Sequence, residues 1–106
     1  MRKELMVKES TKNEVLETVK SGFHLIVFHA KWCGMCKMFG PVLEELSKKD
    51  NVSVLKIDVD DEKLYASEEK VQSIPYVLVY KDGKVVHKLL GYRPYEQLKE
   101  DLASYL

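Results

Sequence analysis

The run FHLIVFHA at residues 23–30 has a continuous apolar centre, Leu25-Ile-Val-Phe28. Such a run is typical of a strand that is buried on both faces of its sheet. A sheet containing this strand needs a packing layer above it and another below it, which favours an α/β fold with helices on both faces. The chain has 106 residues, which leaves little room for a second core, so we predict a single domain over residues 1–106.

Helix and strand patterns alternate around this run. Thr11 to Glu14 forms a capping box that begins a helix, which should end near Gly22. Asp82-Gly83 is a two-residue hairpin signal between two strand patterns. The predicted order is β-α-β-α-β-α-β-β-α, which gives a central mixed five-stranded sheet flanked by four helices. The predicted strands are residues 4–9, 23–30, 52–59, 76–80 and 84–90, and later helices cover residues 60–70 and begin at Pro94.

A longer helix follows the strand at residues 23–30. Its apolar residues recur at i, i+3, i+4 and i+7, which predicts about four turns with one buried face. Pro41 lies inside this helix and is predicted to kink it. The apolar residues are Phe39, Val42, Leu43 and Leu46.

The charge balance excludes several classes of partner. Seventeen basic and seventeen acidic side chains cancel, so neither nucleic acid nor an anionic membrane is an expected partner. The chain contains no apolar run of the roughly 18 residues that a membrane span needs, and no apolar region follows the basic residues at its start. We therefore expect a cytoplasmic protein, in a compartment that keeps most thiols reduced.

The motif KWCGMCK contains both cysteines of the chain, Cys33 and Cys36. Three interpretations are open: a redox dithiol, half of a metal site, and two inert buried thiols. Zinc usually takes four ligands, and the sequence has no second pair at zinc-finger spacing. An iron–sulfur cluster shared between two chains could use two such pairs.

The position of the motif favours redox chemistry. The cysteines lie where a buried strand ends and a helix begins, and the unpaired N–H groups of a helix N-terminus stabilise a thiolate. Cys33 would attack a substrate disulfide, and Cys36, one turn further and less exposed, would then displace the reduced substrate. Gly34 keeps the turn uncrowded, and Trp32 provides an apolar surface beside the nucleophile.

The chain resembles the thioredoxin family over nearly its whole length. The resemblance is carried by KWCGMCK, Pro41, the KID motif that ends at Asp58, the SIPY motif around Pro75, the KDGK hairpin and Gly91. It implies the thioredoxin fold and dithiol–disulfide exchange, with Cys33 as the attacking thiol and Cys36 as the resolving thiol. It also implies a cis bond before Pro75.

The resemblance further implies a substrate groove and a set of partners. The backbone of Ile74 would pair with an extended segment of a protein disulfide substrate. The chain would act as a monomer without a cofactor or metal and would be reduced again by thioredoxin reductase, an NADPH-linked flavoenzyme. A less reducing oxidase or isomerase, and a binding module without turnover, are the alternatives. The groove residues implied are Trp32, Gly34, Met35, Ile57, Ile74, Pro75, Gly91 and Tyr92.

The sequence departs from the family pattern in three ways. Met35 stands where the family usually has proline between the cysteines, and it restores a backbone N–H. The family's buried aspartate falls on Val27, and its lysine neighbour falls on Val54. His29 replaces the usual tryptophan, and we predict that it pairs with Asp58 to supply part of the lost acid–base function.

Overall fold

The computed structural model describes residues 6–106, and its five strands form one mixed sheet in the order β1-β3-β2-β4-β5. The predicted order of elements and the predicted sheet are confirmed; residues 4 and 5 of the first predicted strand lie outside the described residues. The strands are β1 (Val7–Glu9), β2 (Phe23–His29), β3 (Ser53–Asp58), β4 (Tyr76–Lys81) and β5 (Lys84–Leu90), and the helices are α1 (Lys12–Thr18), α2 (Gly34–Asp50), α3 (Lys63–Glu68) and α4 (Tyr95–Leu102).

Strand β2 lies at the centre of the sheet. It pairs in parallel with β3 and antiparallel with β4, while β3 pairs in parallel with β1 and β4 pairs antiparallel with β5. Because β2 has a neighbour on each side, both edges of its backbone are hydrogen-bonded. These hydrogen bonds hold the end of β2 in place, and they therefore also fix where the next segment begins.

The two faces of β2 contribute to two cores. Leu25 and Val27 pack on the side of α2 and α4, whereas Ile26 and Phe28 pack on the side of α1 and α3. All four side chains are at most 1% exposed. This alternation is the physical reason for the continuous apolar run, since a strand covered by helices on both faces has no solvent-facing positions.

Helix α1 begins as predicted and ends earlier than predicted. The hydroxyl of Thr11 accepts a hydrogen bond from the N–H of Glu14, and the carboxylate of Glu14 accepts one from the N–H of Thr11. The second bond lowers the pKa of Glu14, because it favours the charged carboxylate. The helix ends at Thr18, and Gly22, with a φ of +85°, lies in the turn that leads into β2.

The hairpin between β4 and β5 forms at Asp82 and Gly83, as predicted. Both residues have positive φ angles, 49° and 87°, as a two-residue turn of type I′ requires. The turn is fixed to the rest of the protein because the N–H of Asp82 donates to the carbonyl of Gly22, and the N–H of Gly22 donates to the carboxylate of Asp82.

Helix α2 continues on both sides of Pro41 and places its N-terminus directly after β2. Its buried residues include all four that the periodicity indicated: Phe39, Val42, Leu43 and Leu46. No helix among residues 6–106 is long and apolar enough to cross a membrane.

Candidate active site

The two cysteines lie at the first turn of α2. Cys33 is the N-cap residue of the helix, and the N–H of Cys36 donates a hydrogen bond to its sulfur at 3.2 Å. The two sulfurs are joined in a disulfide. In the reduced protein, the same N–H and the positive end of the helix would favour the thiolate of Cys33 over its thiol. The local geometry is therefore that of an activated dithiol.

The two cysteines are almost equally buried, and the small difference in their exposure has the predicted direction. Cys33 is 8% exposed and Cys36 is 7% exposed, because the disulfide holds both sulfurs within the first turn. What separates them is the cavity that each one lines. Cys33 lines an apolar cavity together with Trp32 and Ile74, whereas Cys36 lines a different cavity together with His29.

The apolar cavity beside Cys33 has a volume of about 360 Å³. The sulfur of Cys33 lies 4.0 Å from the carbonyl oxygen of Ile74, at the wall of this cavity. Five lining residues were not identified from the sequence: Val59, Ala66, Val71, Gln72 and Ser73. Three of them directly precede Ile74. Their position at the SIPY motif is the sequence signal that could have identified them as cavity residues.

The Ile74–Pro75 peptide bond is cis. Pro75 itself is buried, and its carbonyl accepts a hydrogen bond of 2.8 Å from the N–H of Gly91. Gly91 has a φ of +88°, which a side chain would strain, so glycine fits this turn after β5. Gly34 and Met35 are exposed at the start of α2.

One predicted groove residue is misplaced. Ile57 has no exposed surface and belongs to the core on the side of α1 and α3, so the prediction that it lines a substrate groove is wrong. Its side chain points into the packed layer because β3 is covered on that face. Tyr92 is half-buried and packs its ring against Phe39, with the ring centroids 5.9 Å apart.

Trp32 is 69% exposed, and its indole is nevertheless held in place. Its N–H donates a hydrogen bond of 2.8 Å to the carboxylate of Asp60, in the loop after β3. Sequence reasoning missed this partner. Because β2 and β3 are parallel, their carboxyl ends meet at one edge of the sheet, and that topology brings Asp60 to Trp32.

The predicted side-chain pair between His29 and Asp58 is also wrong. The two residues are neighbours in the backbone register of β2 and β3, but the carboxylate of Asp58 accepts a hydrogen bond from the N–H of Asp60. The carboxylate within ion-pair distance of His29 is that of Glu9 on β1, at 2.6 Å from Nε2. The carboxylate of Asp58 therefore bonds within its own loop, while His29 faces Glu9.

Both family departures in the core are buried apolar residues. Val27 is 1% exposed, and Val54 has no exposed surface. They belong to the same cluster on the side of α2 and α4. An apolar pair avoids the desolvation cost of a buried charge pair. Residues 6–106 contain no group of three or more histidine, cysteine or acidic side chains placed to hold a metal ion.

A cysteine pair at the N-terminus of a helix, directly after the central strand of a mixed sheet, defines a dithiol thiol–disulfide oxidoreductase. Comparisons with known proteins give the family. The thioredoxin family model matches residues 4–104, and the chain belongs to the thioredoxin family. Its activity is therefore that of a protein-disulfide oxidoreductase with the thioredoxin fold.

Individual relatives agree with this assignment. A curated thioredoxin from Staphylococcus aureus is 46% identical over 90 residues, which cover 83% of this chain and 86% of that protein. A mutant thioredoxin from Halobacterium salinarum NRC-1 has a similar structure, with a TM-score of 0.86 and 32% identity over 93% of this chain and 89% of that one. A third similar chain comes from a structure on thiol resolution in yeast mitochondrial 1-Cys peroxiredoxin. It has a TM-score of 0.82 and 30% identity over 92% of this chain and 94% of that one.

Proposed function

We propose that the protein reduces disulfides of protein substrates, with Cys33 as the attacking thiol and Cys36 as the resolving thiol. The observation that carries this assignment is the placement of Cys33 as N-cap residue in the wall of the apolar cavity. A substrate segment in that cavity would meet Cys33 first. Cys36 lines a separate cavity and would reach only the sulfur of Cys33.

We propose that the substrate binds as an extended segment. The half-buried Ile74 presents backbone groups beside the attacking sulfur, and backbone pairing is a general way of recognising unrelated sequences. Trp32, fixed by Asp60, forms an exposed apolar wall of the same cavity. Gly34, Met35, Pro75, Gly91 and Tyr92 complete the proposed contact surface.

We further propose a monomer in the cytoplasm that thioredoxin reductase returns to the dithiol form. Use of both cysteines in one redox pair suits a compartment in which structural disulfides are rare. A single domain over residues 1–106 is proposed because both cores of the described residues are built on the same sheet. One structural relative comes from work on thiol resolution through the glutathione and thioredoxin systems, which supports a role in thiol reduction.

The assignment of the two thiols is tested by trapping. Cys36→Ser mixed with a protein that contains one accessible disulfide is expected to accumulate a mixed disulfide through Cys33, because nothing resolves it. Non-reducing electrophoresis and mass spectrometry measure this product. The matched variant Cys33→Ser should trap nothing. Trapping by Cys33→Ser and not by Cys36→Ser would reverse the two roles.

The direction of the reaction is tested by equilibrium with a glutathione buffer. A reductase should have a potential within or below the glutathione poise of about −220 to −320 mV. A potential near about −180 mV, the value typical of protein disulfide isomerase, would instead support the oxidase or isomerase alternative.

Met35→Pro is expected to make the reduction potential more negative. Met35 occupies the second position of α2, so its N–H is one of the unpaired donors of the first turn, which begins at Cys33. Proline removes that donor, so the reduced thiolate should lose stabilisation of about 1.4 kcal/mol, which corresponds to about 30 mV. The same glutathione titration measures the shift, and Met38→Leu, one turn further along the exposed surface, is the control. An unchanged or less negative potential would contradict the role given to Met35.

A further inference from the structure

The cavity that reaches Cys36 has a volume of about 270 Å³, and polar side chains supply part of a mostly apolar lining. It lies between the end of β2 and the first turns of α2, and His29 and Lys56 contribute to its wall. Gly40 leaves one side of it open, since a Cβ at that position would meet no atom within 4 Å. A cavity of this size, with polar side chains in its wall, has room for several water molecules. Solvent can therefore connect Cys36 with His29.

His29 is held at this cavity by a carboxylate from the edge of the sheet. Its Nε2 lies 2.6 Å from the Oε1 of Glu9, at ion-pair distance, although the two groups do not form a hydrogen bond. The His29 side chain is 12% exposed, whereas that of Glu9 is 59% exposed. Because β3 lies between β1 and β2, Glu9 reaches the imidazole across a strand. The pair joins an exposed carboxylate to an imidazole that lines the cavity.

Other charged groups surround the pair. Strand β3 contributes Lys56 to the cavity wall and Asp58 in register with His29, helix α2 contributes Lys37, and the turn after β2 contributes Lys31. The carboxylate of Asp58 bonds to its own loop. Among these groups an imidazole alone has an ordinary pKa near neutrality, and its neutral form accepts a proton.

The resolving step requires such an acceptor. Cys36 must lose its S–H proton as its sulfur forms a bond to the sulfur of Cys33, and the bond between Cys33 and the substrate sulfur breaks. The substrate leaves as a thiolate and takes up a proton. The step is neutral in protons and electrons overall, but it is accelerated by a base near Cys36. Val27, at the position where the family carries an aspartate, cannot act as that base.

We propose that His29 accepts the Cys36 proton through water in this cavity, and that Glu9 is the positioning residue that holds and polarises the imidazole. The proposal rests on the proposed function, since it takes Cys36 as the resolving thiol. It assigns no part to Asp58. It also separates the two half-reactions, because attack by Cys33 occurs at the apolar cavity and does not involve the pair.

The test measures the two half-reactions separately between about pH 5.5 and 8. Release of substrate thiol from the mixed disulfide in a single turnover reports resolution. The initial attack is measured in the Cys36→Ser background, where resolution is blocked. His29→Gln is expected to slow resolution about 100-fold at neutral pH, the order of magnitude of one general base, and to leave the attack rate unchanged. The acid limb of the resolution profile should disappear in the same variant.

Glu9→Gln gives a second readout that a purely structural role would not produce. Without the carboxylate, the imidazole is no longer held at the cavity, so the rate of resolution should fall while the rate of attack by Cys33 stays unchanged. Glu17→Gln, an exposed carboxylate that pairs with Lys20, is the matched control and should leave the profile unchanged. Since Glu9 is largely exposed, its variant should fold.

Three outcomes would decide the matter. An unchanged pH profile of resolution in both His29→Gln and Glu9→Gln would overturn the proposal. Equal slowing of attack and resolution would also overturn it, because it would indicate a general structural effect. Failure of Cys36→Ser to trap any mixed disulfide would instead refute the proposed roles of the thiols, which is a different result from either of these.

Discussion

Cys33→Ser is expected to abolish disulfide reduction, with a loss of at least about a thousandfold in the rate of thiol exchange. A serine hydroxyl does not ionise at neutral pH and cannot form a disulfide, so both the nucleophile and the intermediate are lost. Cys36 cannot replace it readily, because Cys36 does not line the apolar cavity. It lines the other cavity, together with His29. The rate of substrate thiol release, followed with a thiol reagent, measures the effect.

The Cys33→Ser substitution changes one atom, so a folding defect should not obscure the result. The circular dichroism spectrum should match that of the reduced wild type. Met38→Leu is a suitable control, since Met38 is exposed on the same helix and is not needed for exchange. Residual exchange within about tenfold of the wild-type rate would show that Cys36 attacks substrates directly, and the assignment of the two thiols would then be wrong.

Phe28→Ala is expected to lower the free energy of unfolding by about 3 to 5 kcal/mol. The ring has no exposed surface, and it packs against Tyr65 and Tyr76 with centroid distances of 5.2 and 6.1 Å. Its loss removes apolar burial and leaves a cavity at the centre of the sheet. Since total stability is typically about 5 to 15 kcal/mol, this single change should remove a large fraction of it.

Urea unfolding of the reduced protein measures the effect of Phe28→Ala, and the melting temperature should fall by about 4 °C or more for each kcal/mol lost. Leu64→Ala is the matched control, because Leu64 is 73% exposed and its loss should change stability by less than about 0.5 kcal/mol. Equal effects in the two variants would contradict the packing described for β2.

The fold was predictable because its signals are local. Leu25 and Val27 face one core, and Ile26 and Phe28 face the other. Together they form a continuous apolar run, which indicates that helices cover both faces of the strand. The capping box at Thr11 and the positive φ angles at Asp82-Gly83 depend on neighbouring residues only. Signals of this kind can be read without knowledge of the sheet order.

The site was only partly predictable because several of its contacts are not local. The cysteine motif is contiguous, but the partners of Trp32 and His29 depend on the order of strands. Glu9 can meet His29 only because β1 pairs with β3 and β3 pairs with β2, and the sequence pattern does not specify that order. Ile57 was misplaced for a related reason: its face of the strand is fixed by register with β2.

Strand β1 has only three residues and lies at the edge of the sheet, where it is joined to β3 from a distant part of the chain. Short edge segments open more often than central strands, and their amides exchange hydrogen with solvent faster. Each opening of β1 would carry Glu9 away from His29 while the first turn of α2 stays intact. On warming, therefore, the rate of resolution by Cys36 should fall before the rate of attack by Cys33 does. The protein would then accumulate as mixed disulfides with its substrates.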